Sequence, residues 1–300
     1  MTLRALSRPA YLEFDLPLQA GRAAPIPYPC PPELCAPLLA EEQDMKIQPR
    51  TRLFCLSLCI MALAAAPGAK AVAQDWRTAS REPVGLAPDP AVTPEAVVQV
   101  YGARTWGWRG YFGIHTWIAV KPTGAGAYTT YELIGWRLRS SDSAVVIRER
   151  VPDERWFGNA PELLADKRGD GVDALIERID KTARDYPYGG EYTVWPGPNS
   201  NTFTAHIGRA VPELGIDLPP TAIGKDFLRD QVLARAPSGS GFQLSLYGLL
   251  GVLASGVEGL EINVLGLSLG VDPFSPALKL PFVGRLGVSP LKASVAAASN

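Results

Sequence analysis

Beyond Cys59 the sequence has no cysteine, and in its whole length it has only two histidines, His115 and His206. All four cysteines, Cys30, Cys35, Cys55 and Cys59, fall before Gln74. A chain cut near that residue has no disulfide, no thiolate metal site and no cysteine nucleophile. Two histidines are a thin basis for a metal centre, and no cofactor is expected. Neither sign of charge is in excess: seven of the 29 basic and six of the 30 acidic residues precede Gln74, leaving 22 against 24. No basic tract interrupts that balance, so nucleic acid is not an expected partner.

Long hydrophobic runs are also scarce. The longest, residues 53–66, has Ser57 as its only polar member. Its length of about 14 residues falls short of the roughly 20 that a spanning helix needs. Lys46, Arg50 and Arg52 precede it, and Ala69-Lys70-Ala71 and Ala71-Val72-Ala73 follow as small-x-small cleavage sites. Basic start, apolar middle and small-residue end together predict a secretory signal peptide over residues 45–73, with an uncleaved anchor as the alternative. A signal peptide works from an N-terminus. Met45 is therefore the expected start, and residues 1–44, which carry eight prolines and no sustained period, read as an upstream extension. A periplasmic or secreted location follows from this reading.

Three further divisions follow from composition: an extended proline-rich leader over residues 74–94, an α+β domain over 95–236, and a glycine-rich β extension over 237–300 whose Phe242, Leu244, Leu260, Ile262 and Val264 alternate with polar or small residues. Within the domain, strands are expected at 95–103, 110–121, 128–138 and 144–150, separated by short turns, which argues an antiparallel meander. A short helix is expected at 160–167 behind Pro161. Asp170 is the expected cap of the next helix, where Val172, Leu175, Ile176, Ile179, Ala183 and Tyr186 recur at helical spacing. A third helix is expected at 202–211 with Asn199 or Ser200 at its start, and a short helical piece at 226–233. The fold class is α+β: an antiparallel sheet with helices on one side, plus the C-terminal extension. For that extension a membrane-surface element is the rival reading, although it lacks the lysines and arginines that usually mark one.

Two stretches carry candidate chemistry. Residues 110–121 place His115 mid-strand, and residues 196–209 deliver Asn199, Ser200 and Asn201 to a helix start. A histidine and a small hydroxyl at a helix N-terminus are the parts of a base and nucleophile, if the fold joins them. Glu132, on the next strand, is a candidate to orient the histidine. The plainer alternatives are a core histidine, a helix cap and a carboxylate paired with an arginine. Asn199, Asn201, Trp108, Trp117 and Tyr188 are candidate lining residues; Trp106 and Trp195 are further aromatics of core or rim.

From Val98 to about Gly287 the text resembles the bacterial family known as domain of unknown function 3750, which lends no activity. The order strand-histidine, acid on the following strand, helix, then Asn199-Ser200-Asn201-Thr202-Phe203 is also similar to the circularly permuted NlpC/P60 papain-like superfamily, which includes lecithin:retinol-acyltransferase-like enzymes. The motif there has cysteine at the position of Ser200. The resemblance implies His115 as base, Glu132 as its orienting residue and Ser200 as nucleophile. Serine needs the histidine to take its proton during attack and donors to hold the oxyanion, because no alkoxide is accessible near neutral pH. The expected function is a cell-envelope amide or ester hydrolase acting on peptidoglycan or lipid. A non-catalytic envelope-binding or structural module with peripheral membrane contact is the alternative.

Overall fold

The computed structural model describes residues 75–289. The expected signal peptide, its cleavage sites, the upstream extension and all four cysteines lie outside the described residues. Among the described residues no helix is long and apolar enough to cross a membrane.

Five antiparallel strands form the first sheet: β1 (Val97–Arg104), β2 (Ile114–Lys121), β3 (Thr129–Leu133), β4 (Val145–Glu149) and β5 (Glu162–Arg168). Their order is β4-β3-β2-β1-β5. The expected hairpin is the centre of this sheet, with Tyr101 opposite Trp117 and Ala103 opposite His115. Both faces of β1 and β2 are covered, which is why their sequences are almost continuously apolar and not cleanly alternating.

Helices α1 (Val172–Arg184) and α2 (Ser200–Ala210) cover one face. There Val98, Val100, Ile118 and Leu133 meet Ile176, Ile179, Phe203 and Ile207 in one core. The opposite face holds a second core of Val97, Tyr101, Trp117, Tyr128, Val146 and Trp156. The proline-rich leader lies against that side: Pro83 bridges Glu154, and the Leu86 and Ala87 amides donate to the Asp153 carboxylate at 2.6 and 3.3 Å.

Four local expectations are corrected. Residues 160–167 give β5 instead of a helix, because β1 has a free edge to satisfy and Leu163 and Leu164 reach opposite cores across it. Asp170 does not cap α1; Gly171 stands at the N-cap with φ of 80°, a left-handed conformation that glycine adopts freely. The third strand stops at Leu133, where residues 135–139 tighten into a 3-10 turn. No helix forms at 226–233: the segment turns through Arg229, at a φ of 51°, into β6 (Leu233–Arg235).

The second sheet is a seven-stranded meander of β6, β7 (Gly241–Leu246), β8 (Leu250–Ser255), β9 (Gly259–Val264), β10 (Leu267–Asp272), β11 (Ala277–Leu280) and β12 (Gly284–Gly287), in sequential order. Tight turns at Tyr247-Gly248 and Leu265-Gly266 have positive φ at both residues, the twist that two-residue hairpins prefer. Its polarity is inverted relative to an ordinary sheet. Gln243, Ser245, Glu261, Asn263, Ser268, Asp272 and Lys279 point inward and are buried. Inward charges are paired: Lys279 donates to Asp217 at 2.6 Å and Glu261 at 2.7 Å, Lys225 pairs with Glu261, and Arg285 with Asp217 at 2.8 Å and Asp272 at 2.7 Å. Asp226 accepts from Gln243 at 2.6 Å and Asn263 at 2.7 Å. These bonds clamp the sheet to residues 217–226 and, through Arg209, to α2.

His206, on α2, sits edge-on to Tyr186 at 5.2 Å. Burial, with Arg209 adding to it, pushes its pKa down to about 4. A depressed histidine contributes stability that is present above the ordinary value near 6.5 and is lost as pH falls through the folded value. Asp217 acts in the opposite sense, because burial raises it to about 6 and its contribution is lost as pH rises through that value. Urea midpoints of parent and H206Q compared from pH 7 to 4 isolate the histidine. The parent is expected to lose up to about 3 kcal/mol relative to the variant on acidification.

Candidate functional site

The hydroxyl expected as nucleophile begins α2, and its neighbours explain the local sequence. Asn199 Oδ1 accepts from the amides of Asn201 at 2.9 Å and Thr202 at 3.2 Å, and the Thr202 hydroxyl accepts from the Asn199 amide at 3.2 Å, a reciprocal capping box. The Asn199 side-chain amide donates to the carbonyls of Val194 and Ile223, both at 3.0 Å. Asn201 donates to the carbonyls of Ile114 at 3.0 Å and Ile223 at 2.8 Å. The motif thus ties three chain segments to one helix start. Gly224 completes the fit, since a Cβ there would meet Asn199 Nδ2 at 2.3 Å.

Ser200 itself is buried. Its carbonyl lies 3.2 Å from the Thr116 hydroxyl, which also reaches Asn201 Oδ1 at 3.0 Å and the Thr204 hydroxyl at 2.9 Å. The Tyr192 phenol stands against the Ser200 hydroxyl and amide; burial raises the Tyr192 pKa, and those two contacts oppose the rise only in part. A neutral phenol is no base for serine at physiological pH.

His115 is elsewhere. Successive residues of a strand point to opposite faces, and β2 runs without a break in register from Ile114 to Lys121. Thr116 faces α2, so His115 faces the second core. There its ring stacks on Trp156 with centroids 3.8 Å apart and planes 14° from parallel, and lies 5.8 Å from Trp117. The structure therefore does not bring His115 and Ser200 into one cleft, and the expected proton relay is corrected: the strand's parity puts the sheet between them.

Glu132 is on the histidine's side. Its Oε2 accepts from His115 Nε2 at 3.2 Å, and its Oε1 from Arg148 at 2.9 Å and Arg150 at 3.3 Å. Burial opposes the carboxylate charge, but the His115 hydrogen bond and the two guanidiniums outweigh it and hold the pKa below the ordinary range. Burial lowers the His115 pKa against the pull of Glu132, leaving a neutral imidazole that donates to an ionised carboxylate. Arg150 also lies over the Trp117 ring at 5.2 Å. The His115 imidazole and both Glu132 oxygens thus have hydrogen-bond partners beside this aromatic core.

The lining residues scatter likewise. Trp117 is fully buried and donates to the Pro152 carbonyl at 2.8 Å, whereas Trp108 is 65 % exposed on the turn between β1 and β2. Tyr188 packs edge-on against Tyr186 at 5.5 Å, beneath the Arg229 guanidinium. Sequence reasoning missed Thr116 and Tyr192 as the neighbours of Ser200, and Arg148, Arg150 and Trp156 as those of His115. The i, i+2 spacing of Val146, Arg148 and Arg150 was the available signal for the arginines, because it puts both on one strand face.

Residues 95–227 match the family described as Protein of unknown function (DUF3750). The match takes in the first sheet and both helices and ends before the second sheet. No curated protein and no solved structure matches the chain.

Proposed function

We propose that this chain, which carries the DUF3750 domain over residues 95–227, is a non-catalytic binding or structural module of the cell envelope, exported by the segment at 45–73. The observation that carries the reading is the placement of Ser200 and His115 on opposite faces of the first sheet. A serine in the first turn of a helix, with no general base in reach among the described residues, is a tether, and its hydroxyl lacks the activation that acyl transfer requires. The similarity to papain-like enzymes is then one of element order. Export rests on the basic, apolar and small-residue regions of residues 45–73. Contact with an envelope polymer such as peptidoglycan falls to exposed aromatics, with Trp108 foremost, whose flat faces suit sugar rings.

A serine-directed fluorophosphonate probe tests the non-catalytic reading. Labelling of the purified protein is expected to be no greater than that of S200A. Labelling that disappears in S200A would restore the hydrolase reading.

A further inference from the structure

The outward face of the second sheet is apolar from β7 to β12. Its strand register aligns three rows across the meander: Leu246, Leu250, Val264 and Leu267; Leu244, Val252, Ile262 and Leu269; and Phe242, Ala254, Leu260, Val271, Leu278 and Leu286. Leu244, Ile262 and Leu269 are 44 %, 49 % and 50 % exposed, as strand residues are when one side of a sheet is bare. The seven strands together hold 35 residues, which at about 3.3 Å per residue and about 4.8 Å between strands make a footprint of about 560 Å². That is at the upper end of the roughly 300–600 Å² of the largest apolar patch on an ordinary monomer.

We infer that this face packs against the same face of a second copy, closing a two-sheet sandwich across a twofold axis. The area argues for it. Two such footprints bury about 1,100 Å², above the roughly 1,000 Å² that a biological interface should clear. Aligned packing of two sheets about 10 Å apart is an established way to cover such a face, and a self-complementary patch is what a twofold interface requires. Charge argues against an anionic membrane as the occupant. Lys279 and Arg285, the only cations of residues 237–289, both point inward into ion pairs, and Arg235 on edge strand β6 is the one charged side chain on the outward side of these strands. A face without a cationic fringe has nothing to engage lipid phosphates. The inference is independent of whether the first domain is catalytic.

Sedimentation velocity of the full chain decides it. The wild type at about 20 µM is expected at twice the mass of one chain. V252K and I262E, which alter outward side chains and leave the inner charge network intact, are expected to sediment as monomers, with the dissociation constant raised at least a hundredfold and the far-UV spectrum unchanged. If either variant fails to fold, methyl NOEs between Ile262 side chains in a mixture of isotope-labelled and unlabelled wild-type chains read the contact directly. A wild-type monomer, a dimer that survives both charged substitutions, open-ended assemblies, or a monomer that floats with phosphatidylcholine vesicles would each overturn the inference.

Discussion

Replacing Lys279 by methionine is expected to lower the unfolding free energy by about 3–5 kcal/mol. The ammonium is fully buried and donates to Asp217 at 2.6 Å, Glu261 at 2.7 Å and the Glu258 carbonyl at 2.7 Å. Methionine fills a similar volume but leaves two buried carboxylates with one cation fewer between them. Arg285 still serves Asp217 and Asp272, and Lys225 serves Glu261, so three carboxylates share two cations and the residual imbalance is one negative charge. A double variant, K279M with D217N, removes that imbalance and is expected to recover at least half of the loss. Urea denaturation at fixed protein concentration reads all three proteins; a K279M midpoint equal to the parent's would show that the clamp between the second sheet and residues 217–226 contributes nothing.

Glu132→Gln is the second large effect, expected at about 3 kcal/mol or more. Glu132 is fully buried and serves three donors, His115, Arg148 and Arg150. An amide keeps the shape but has one acceptor oxygen, so its NH₂ must face a donor on one side. Arg150, whose side chain is 10 % exposed, then retains only Glu154 at 3.5 Å as an ionic partner. Arg148 is about half exposed and can turn to water, so its share of the loss is small. Thermal denaturation of E132Q checks this, and R148Q is the control expected to change stability by no more than about 1 kcal/mol.

The fold was legible in its elements and illegible in its parity. The hairpin of β1 and β2, the amphipathic α1 and the capped start of α2 all show in local pattern, because caps, turns and helical periodicity are local physics. Which side His115 faces is not local. Ile114, Trp117, Ile118 and Ala119 are all buried, so the alternation that would reveal a solvent face is missing from β2, and only the packing of α2 against Thr116 fixes the assignment. Residues 160–167 misled for a related reason: their helix formers were overridden by the open edge of β1, a feature of the sheet and not of the segment. In the second sheet the alternation was plain, yet the usual inference that the apolar side is covered by the rest of the chain fails. Glu261 and Asn263 face inward between the half-exposed Leu260, Ile262 and Val264, and no property of a single strand reports what lies beneath it.

The reactivity of a thiol placed at residue 200 tests the central claim most directly. S200C is alkylated from pH 5 to 8 and read by mass spectrometry on the peptide that contains residue 200, alone and combined with H115Q, whose amide can still donate to Glu132. A helix N-terminus beside an imidazole would depress the thiol pKa and speed alkylation below about pH 7 in a His115-dependent way. With the sheet between the two side chains, the expected result is a rate no faster than a model thiol and unchanged by H115Q; rapid alkylation at low pH that H115Q slows would contradict the account.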